Sequence, residues 1–234
     1  NNTGGYVLLY KYTMSNSSGF PAGVRTILAL DYDLIHIRDE AEKLSALDIA
    51  IDSLNLEVDE SNFVSSSARR ETMLSKKPYI ECIEILLSSI LYKRCIPTPH
   101  LSEEVAPFLP LHGAIASHPK EYTWKTINFL YGSDSENQLN GFGRNAAHIL
   151  CSIATLDDNI GSIILDDLDS KLFQQVDNFG FLPIHLCSMN PEVPYNFFRK
   201  VGSKNEDGLN ILVPYTIENK YSMLTALQIA ATSN

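Results

Sequence analysis

Asp177-Asn178-Phe179-Gly180-Phe181-Leu182-Pro183-Ile184-His185-Leu186-Cys187-Ser188 is the stretch from which the rest of the chain can be read. An acidic turn residue opens it, a glycine follows three positions on, and Pro183-Ile184-His185 leads into a short apolar helix. The frame recurs 37 residues upstream as Asn140-Gly141-Phe142-Gly143-Arg144-Asn145-Ala146-Ala147-His148-Ile149-Leu150-Cys151. Glycine lets the chain reverse through positive φ. Proline suits the first helical position, where its missing N–H has no helical acceptor to lose. A recurrence of this kind points to internal repeats, which decide an architecture before any single element does.

Both stretches resemble the ankyrin-repeat signature, Asp-x-x-Gly-x-Thr-Pro-Leu-His-x-Ala-Ala. Working outward, the positions that match its histidine are Asp48, His112, His148, His185 and Gln228, at spacings of 64, 36, 37 and 43. They stand in Ser45-Ala46-Leu47-Asp48-Ile49-Ala50, Leu109-Pro110-Leu111-His112-Gly113-Ala114, the two stretches above, and Thr225-Ala226-Leu227-Gln228-Ile229-Ala230. The family period is about 33 residues, so every interval is lengthened. The interval of 64 is read as holding an insertion rather than a skipped repeat, because one helix pair alone is visible between Ser45 and Leu91.

The resemblance implies an all-α fold, an ankyrin-repeat solenoid of about six helix-turn-helix repeats with long insertions. Approximate repeats are 1–38, 39–92, 104–133, 140–172, 177–202 and 205–234. The first is degenerate, as terminal repeats are expected to be, with Val24, Ile27 and Leu28 as its apolar helix face. Second helices are expected around Tyr79–Leu87, Trp124–Leu130, Ile160–Leu165 and Tyr195–Val201. The insertion, roughly Asp59 to Pro78, carries Arg69-Arg70 and Lys76-Lys77 and reads as a polar surface loop. The stretch Leu209–Tyr221 falls outside the pattern, and the last repeat stops before its second helix. Residues 1–234 read as one such domain, a piece of a larger protein, since the chain opens at Asn1 without methionine.

The composition, 44% hydrophobic and 20% charged over 234 residues, is that of a globular chain. A net charge of −10 argues against binding to a nucleic-acid backbone, which needs lysine and arginine to displace counterions. The apolar run Ile85–Tyr92 is far short of the about 20 residues that cross a bilayer, so no membrane insertion is expected. The start carries no basic-apolar-small leader pattern. Cys82, Cys95, Cys151 and Cys187 show no paired spacing, which favours a cytoplasmic or nuclear setting with reduced thiols.

In ankyrin repeats the motif histidine and threonine bond neighbouring backbone and each other. The resemblance implies that role for His112, His148 and His185. The threonine positions hold Leu109, Asn145 and Leu182 here, so part of that network is expected to be missing. His148-x-x-Cys151 and His185-x-Cys187 suggest zinc at first sight, but a structural zinc site wants four nitrogen or sulfur ligands, usually with close-paired cysteines. A nucleophilic Cys/His pair would want a third, orienting group, and none stands at a recognisable position. Gly141-Phe142-Gly143-Arg144 is half of a phosphate-loop pattern with no strand before it. The carboxylates Asp157, Asp158, Asp166, Asp167 and Asp169 lack the glycine and closing glutamate of a calcium loop. No metal, cofactor or catalytic residue is expected.

Ankyrin arrays bind through the tips of their turns and the exposed face of the first helices. The partner-binding candidates are therefore Phe142, Arg144, Asn178, Phe179, Phe181 and Met189. Aromatics beside arginine are enriched in binding hot spots; the competing reading has the phenylalanines folding onto neighbouring turns. The expected function is a protein–protein interaction module, a monomeric scaffold domain of a larger regulatory protein, and not an enzyme. The alternative is the helical regulatory region of an enzyme, or an enzyme with a cryptic Cys/His site.

Overall fold

The computed structural model describes residues 20–30, 34, 37–38, 44–54, 71, 74–94, 108–153, 158–217 and 220–233. The chain is mostly helical and divides into two compact units, Asn1–Ser135 and Glu136–Asn234. The stretch 1–19, most of the insertion at 59–78 and Cys95 lie outside the described residues.

In the first unit α1 (Phe20–Leu30) packs on α3 (Lys77–Arg94), and α3 also carries α2 (Ala46–Asp52) and α4 (Pro110–Ala116). The helix α5 (Glu121–Ser135) packs on α4 and α2. Val24 and Leu28 are buried on α1, as the i, i+4 spacing predicts. Trp124 is the largest fully buried side chain.

Ser45 caps α2 reciprocally: its Oγ accepts the Asp48 N–H at 3.2 Å, and Asp48 Oδ2 accepts the Ser45 N–H at 2.8 Å. Two orphan donors of the helix start are satisfied this way. The other Asp48 oxygen accepts the Thr123 hydroxyl at 2.6 Å, joining α2 to the first turn of α5. Arg38 completes this buried knot, with Nη1 3.8 Å from Asp48 and Nη2 donating to the Ser117 and His118 carbonyls. The aspartate at the motif-histidine position is thus a capping and bridging residue.

The second unit contains α6 (Ala146–Ser152), α7 (Asp158–Asp167), α8 (Pro183–Met189), α9 (Tyr195–Lys204) and α10 (Ala226–Ser233). The short helices α6, α8 and α10 pack in series, α7 and α9 pack on each other, and α6 and α8 also contact α7 and α9 respectively. Two 3₁₀ turns, Ser170–Gln174 and Asp207–Asn210, fill the gaps between them, with Leu172 and Phe173 buried. The second helices expected from the sequence coincide with α3, α5, α7 and α9.

The region read as irregular is a hairpin. Strands β1 (Val213–Ile217) and β2 (Lys220–Leu224) pair antiparallel from Val213↔Leu224 to Ile217↔Lys220. They are the only strands among the described residues. Pro214 is tolerated because each strand of a two-stranded sheet has an edge that donates nothing.

Candidate functional site

Two turns of the second unit are built alike. In the first, Asn140 Oδ1 accepts the N–H groups of Phe142 and Arg144 at 2.9 and 3.1 Å, and the Asn140 N–H donates to the Arg144 carbonyl. In the second, Asp177 Oδ1 accepts the N–H groups of Phe179 and Phe181, both at 2.9 Å, and the Asp177 N–H donates to the Phe181 carbonyl. A short side chain that bonds its own backbone two and four residues on is the reason asparagine and aspartate open turns. Gly143 and Gly180 occupy the same place in each, at φ +72° and +82°. The backbone there is left-handed, which glycine adopts without a Cβ clash.

The turns are joined edge to edge. The Asn178 N–H donates to the Phe142 carbonyl at 2.9 Å, and Arg144 Nε donates to Asp177 Oδ2 at the same distance. His148 Nε2 lies 3.0 Å from the Phe181 carbonyl, and His185 Nε2 lies 3.1 Å from the Ile211 carbonyl. A carbonyl only accepts, so both nitrogens carry the proton. The Leu182 N–H donates to His185 Nδ1 at 3.0 Å, which makes His185 the neutral Nε2–H tautomer. Burial is the main influence on this ring and pushes its pKa below the ordinary imidazole value, against smaller opposing effects of the Ile211 carbonyl and Asp177.

The network expected to be depleted is repaired at one of its three positions. Asn145 caps α6, its Oδ1 accepting the His148 N–H at 3.1 Å and lying 2.8 Å from His148 Nδ1. Its amide donates to the Leu172 carbonyl and to Gln175 Oε1, both at 2.9 Å. Leu182 has no acceptor to offer, and there His185 alone serves the helix start.

The candidate binding residues separate by role. Phe179 is exposed at the tip, with its ring 6.2 Å from that of half-buried Phe142. Arg144 is half-buried, spans to Asp177 and lies 5.6 Å from the Phe142 ring centre. Phe181 packs edge-on to His185 at 6.3 Å, under the turn rather than at its tip. The exposed Asn178 amide donates to the Gly141 carbonyl, and Met189 is half-buried at the end of α8. The structure adds Leu139 and Val176, 49% and 55% exposed, each directly before the asparagine or aspartate of its turn. Their signal in the sequence was an exposed-type position holding a large aliphatic residue at the same 37-residue offset.

The thiols are placed for packing. Cys82, Cys151 and Cys187 are buried and unpaired as disulfides. Burial pushes Cys82 up to about 12, and burial with the neighbouring Cys187 holds Cys151 well above the usual thiol value. Nucleophilic cysteines sit in the opposite setting, electropositive and partly exposed. Among the described residues no group of three or more His, Cys, Asp or Glu side chains converges on a metal-sized site, and no helix is long and apolar enough to cross a membrane.

No family model, curated protein or solved structure matches the chain. The two joined turns therefore stand on their own geometry.

Proposed function

We propose that this chain is a divergent ankyrin-type repeat array and acts as a protein-interaction module of a larger regulatory protein, holding its partner across the tips of turns 140–144 and 177–181. The observation that carries the reading is the joined pair of turns. Like hydrogen bonds build both, and they present Leu139, Val176 and Phe179 outward while the helix-start histidines hold the layers behind them. Exposed apolar residues on a rigid, hydrogen-bonded frame bind with little ordering of the free protein, which favours affinity. Arg144 is neutralised by Asp177, so the surface suits an apolar segment rather than an acidic one. In this reading the chain is a monomeric, non-enzymatic scaffold of the cytoplasm or nucleus.

The test is a pull-down from cell extract with Leu139→Ser, Val176→Ser and Phe179→Ala combined. Arg144 and Phe181 stay intact because they hold the turns together. Loss of partners with an unchanged circular dichroism spectrum is the expected result. Recovery of every wild-type partner by the triple variant would exclude this face.

A further inference from the structure

The helices α6, α8 and α10 start on the residues Asn145, Leu182 and Thr225, and their packing faces can be compared position by position. Two, three and six residues beyond these starts α6 has Ala147, His148 and Cys151, and α8 has Ile184, His185 and Ser188. All six are at most 3% exposed. The same three positions of α2 and α4 in the first unit are buried as well. In α10 they are Leu227, Gln228 and Ala231, and all three are exposed, Leu227 at 58%. The helix is otherwise well seated, since Ala226 and Ile229 are fully buried where it packs on α8.

The positions that differ are those that meet the following layer. His148 reaches forward to the Phe181 carbonyl and Cys151 faces Cys187, while His185 reaches forward to the Ile211 carbonyl. Gln228 reproduces the near half of this device. Its Oε1 accepts the Thr225 N–H at 2.9 Å, as His185 Nδ1 accepts that of Leu182, and its own N–H donates to Thr225 Oγ1 at 3.4 Å. The far half, the amide Nε2, corresponds to the histidine Nε2 and has no hydrogen-bond partner among the described residues.

We propose that this face of α10 is a docking surface for one more layer of the same build: a helix, a turn that offers a main-chain carbonyl to Gln228, and a short helix that covers Leu227 and Ala231. The face continues the packing series of α6, α8 and α10, and the unused amide distinguishes this occupant from a bare apolar helix. It is independent of what the turn tips bind.

The experiment joins a copy of residues 153–189, which carries such a helix, turn and short helix, to the full chain directly after Thr232, where residue 153 follows α6. The extension is expected to raise the urea midpoint and to slow hydrogen exchange in α10 by about tenfold or more. Leu227→Lys should abolish both gains in the extended chain and leave the unextended chain unchanged, because Leu227 is exposed there. An extension with no effect on either readout overturns the proposal. So does an unextended chain that sediments as a dimer and returns to monomer on Leu227→Lys, since a second copy would then be the occupant.

Discussion

Arg144 donates its Nε–H to one oxygen of Asp177 across 2.9 Å while the other oxygen accepts the N–H groups of Phe179 and Phe181. A single buried carboxylate thus shapes its own turn and ties it to the turn before. Asp177→Asn keeps the oxygen that shapes the turn and presents an amide donor to Arg144, whereas Asp177→Ala removes both functions. Urea midpoints should fall in the order wild type, Asp177→Asn, Asp177→Ala. Arg144→Ala should cost about 2 kcal/mol, the range for a hydrogen bond to a charged group whose partner stays buried. Arg144→Ala and Asp177→Asn together should cost less than the sum of the two. Strict additivity would show that the pair is not coupled.

The two glycines should respond differently to the same change. A left-handed backbone costs an L-residue about 1–2 kcal/mol, and Gly180→Ala meets that cost alone because its new Cβ has open space around it. A Cβ at Gly143 would in addition run into the Asn178 side-chain amide and approach the Asn178 N at 3.0 Å. Gly143→Ala should therefore destabilise the second unit more than Gly180→Ala. Chemical denaturation of the two variants side by side decides it, and equal losses would contradict the close approach.

His185 makes the second unit sensitive to acid. Its folded pKa is lowered, chiefly by burial, while the unfolded chain takes up its proton near the ordinary value of about 6.5. The folded state binds the proton less readily, so stability present above that pH is lost as pH falls through the folded value. Protonation would also place an N–H on Nδ1 against the Leu182 N–H that now donates to it. Gln228 shows that glutamine can serve a helix start here. His185→Gln should thus cost little at pH about 7.5 and flatten the decline in urea midpoint below pH about 6.5. Parallel pH curves for the two proteins would remove His185 as a source of the slope.

The buried thiols should be inert. With Cys95→Ser in the background, a disulfide reagent should label Cys82, Cys151 and Cys187 in denaturant and none of them in the native protein. Fast native labelling of Cys151 would favour the Cys/His enzyme reading over the packing role.

What the sequence disclosed was whatever is written locally. Asn140, Gly143, Asp177 and Gly180 announce their turns because each acts on backbone within four residues. The cap at Asn145 is invisible to a comparison with threonine as a residue type, because the helix start needs only an oxygen within reach of the N3 backbone. The hairpin is hidden because Pro214 breaks the strand pattern and its pairing runs to partners as far as eleven residues away. The tie between Arg144 and Asp177 spans 33 residues, and no local rule connects the two. The sequence marks Arg144 as a contact for a partner, and the structure adds its tie to the next turn.

The close approach of Asn178 to Gly143 has a consequence for how this protein can diverge. The side chain at 178 determines how much room exists at 143, so the residues tolerated in one turn depend on a choice made in the next. Trimming Asn178 to alanine or serine would relieve the side-chain clash at 143 and leave the backbone cost and the 3.0 Å approach to the main-chain N of residue 178. Substitution at these two sites should then be correlated, with drift at 178 preceding drift at 143. Along an array of joined turns, such dependence would make neighbouring layers evolve as a linked series.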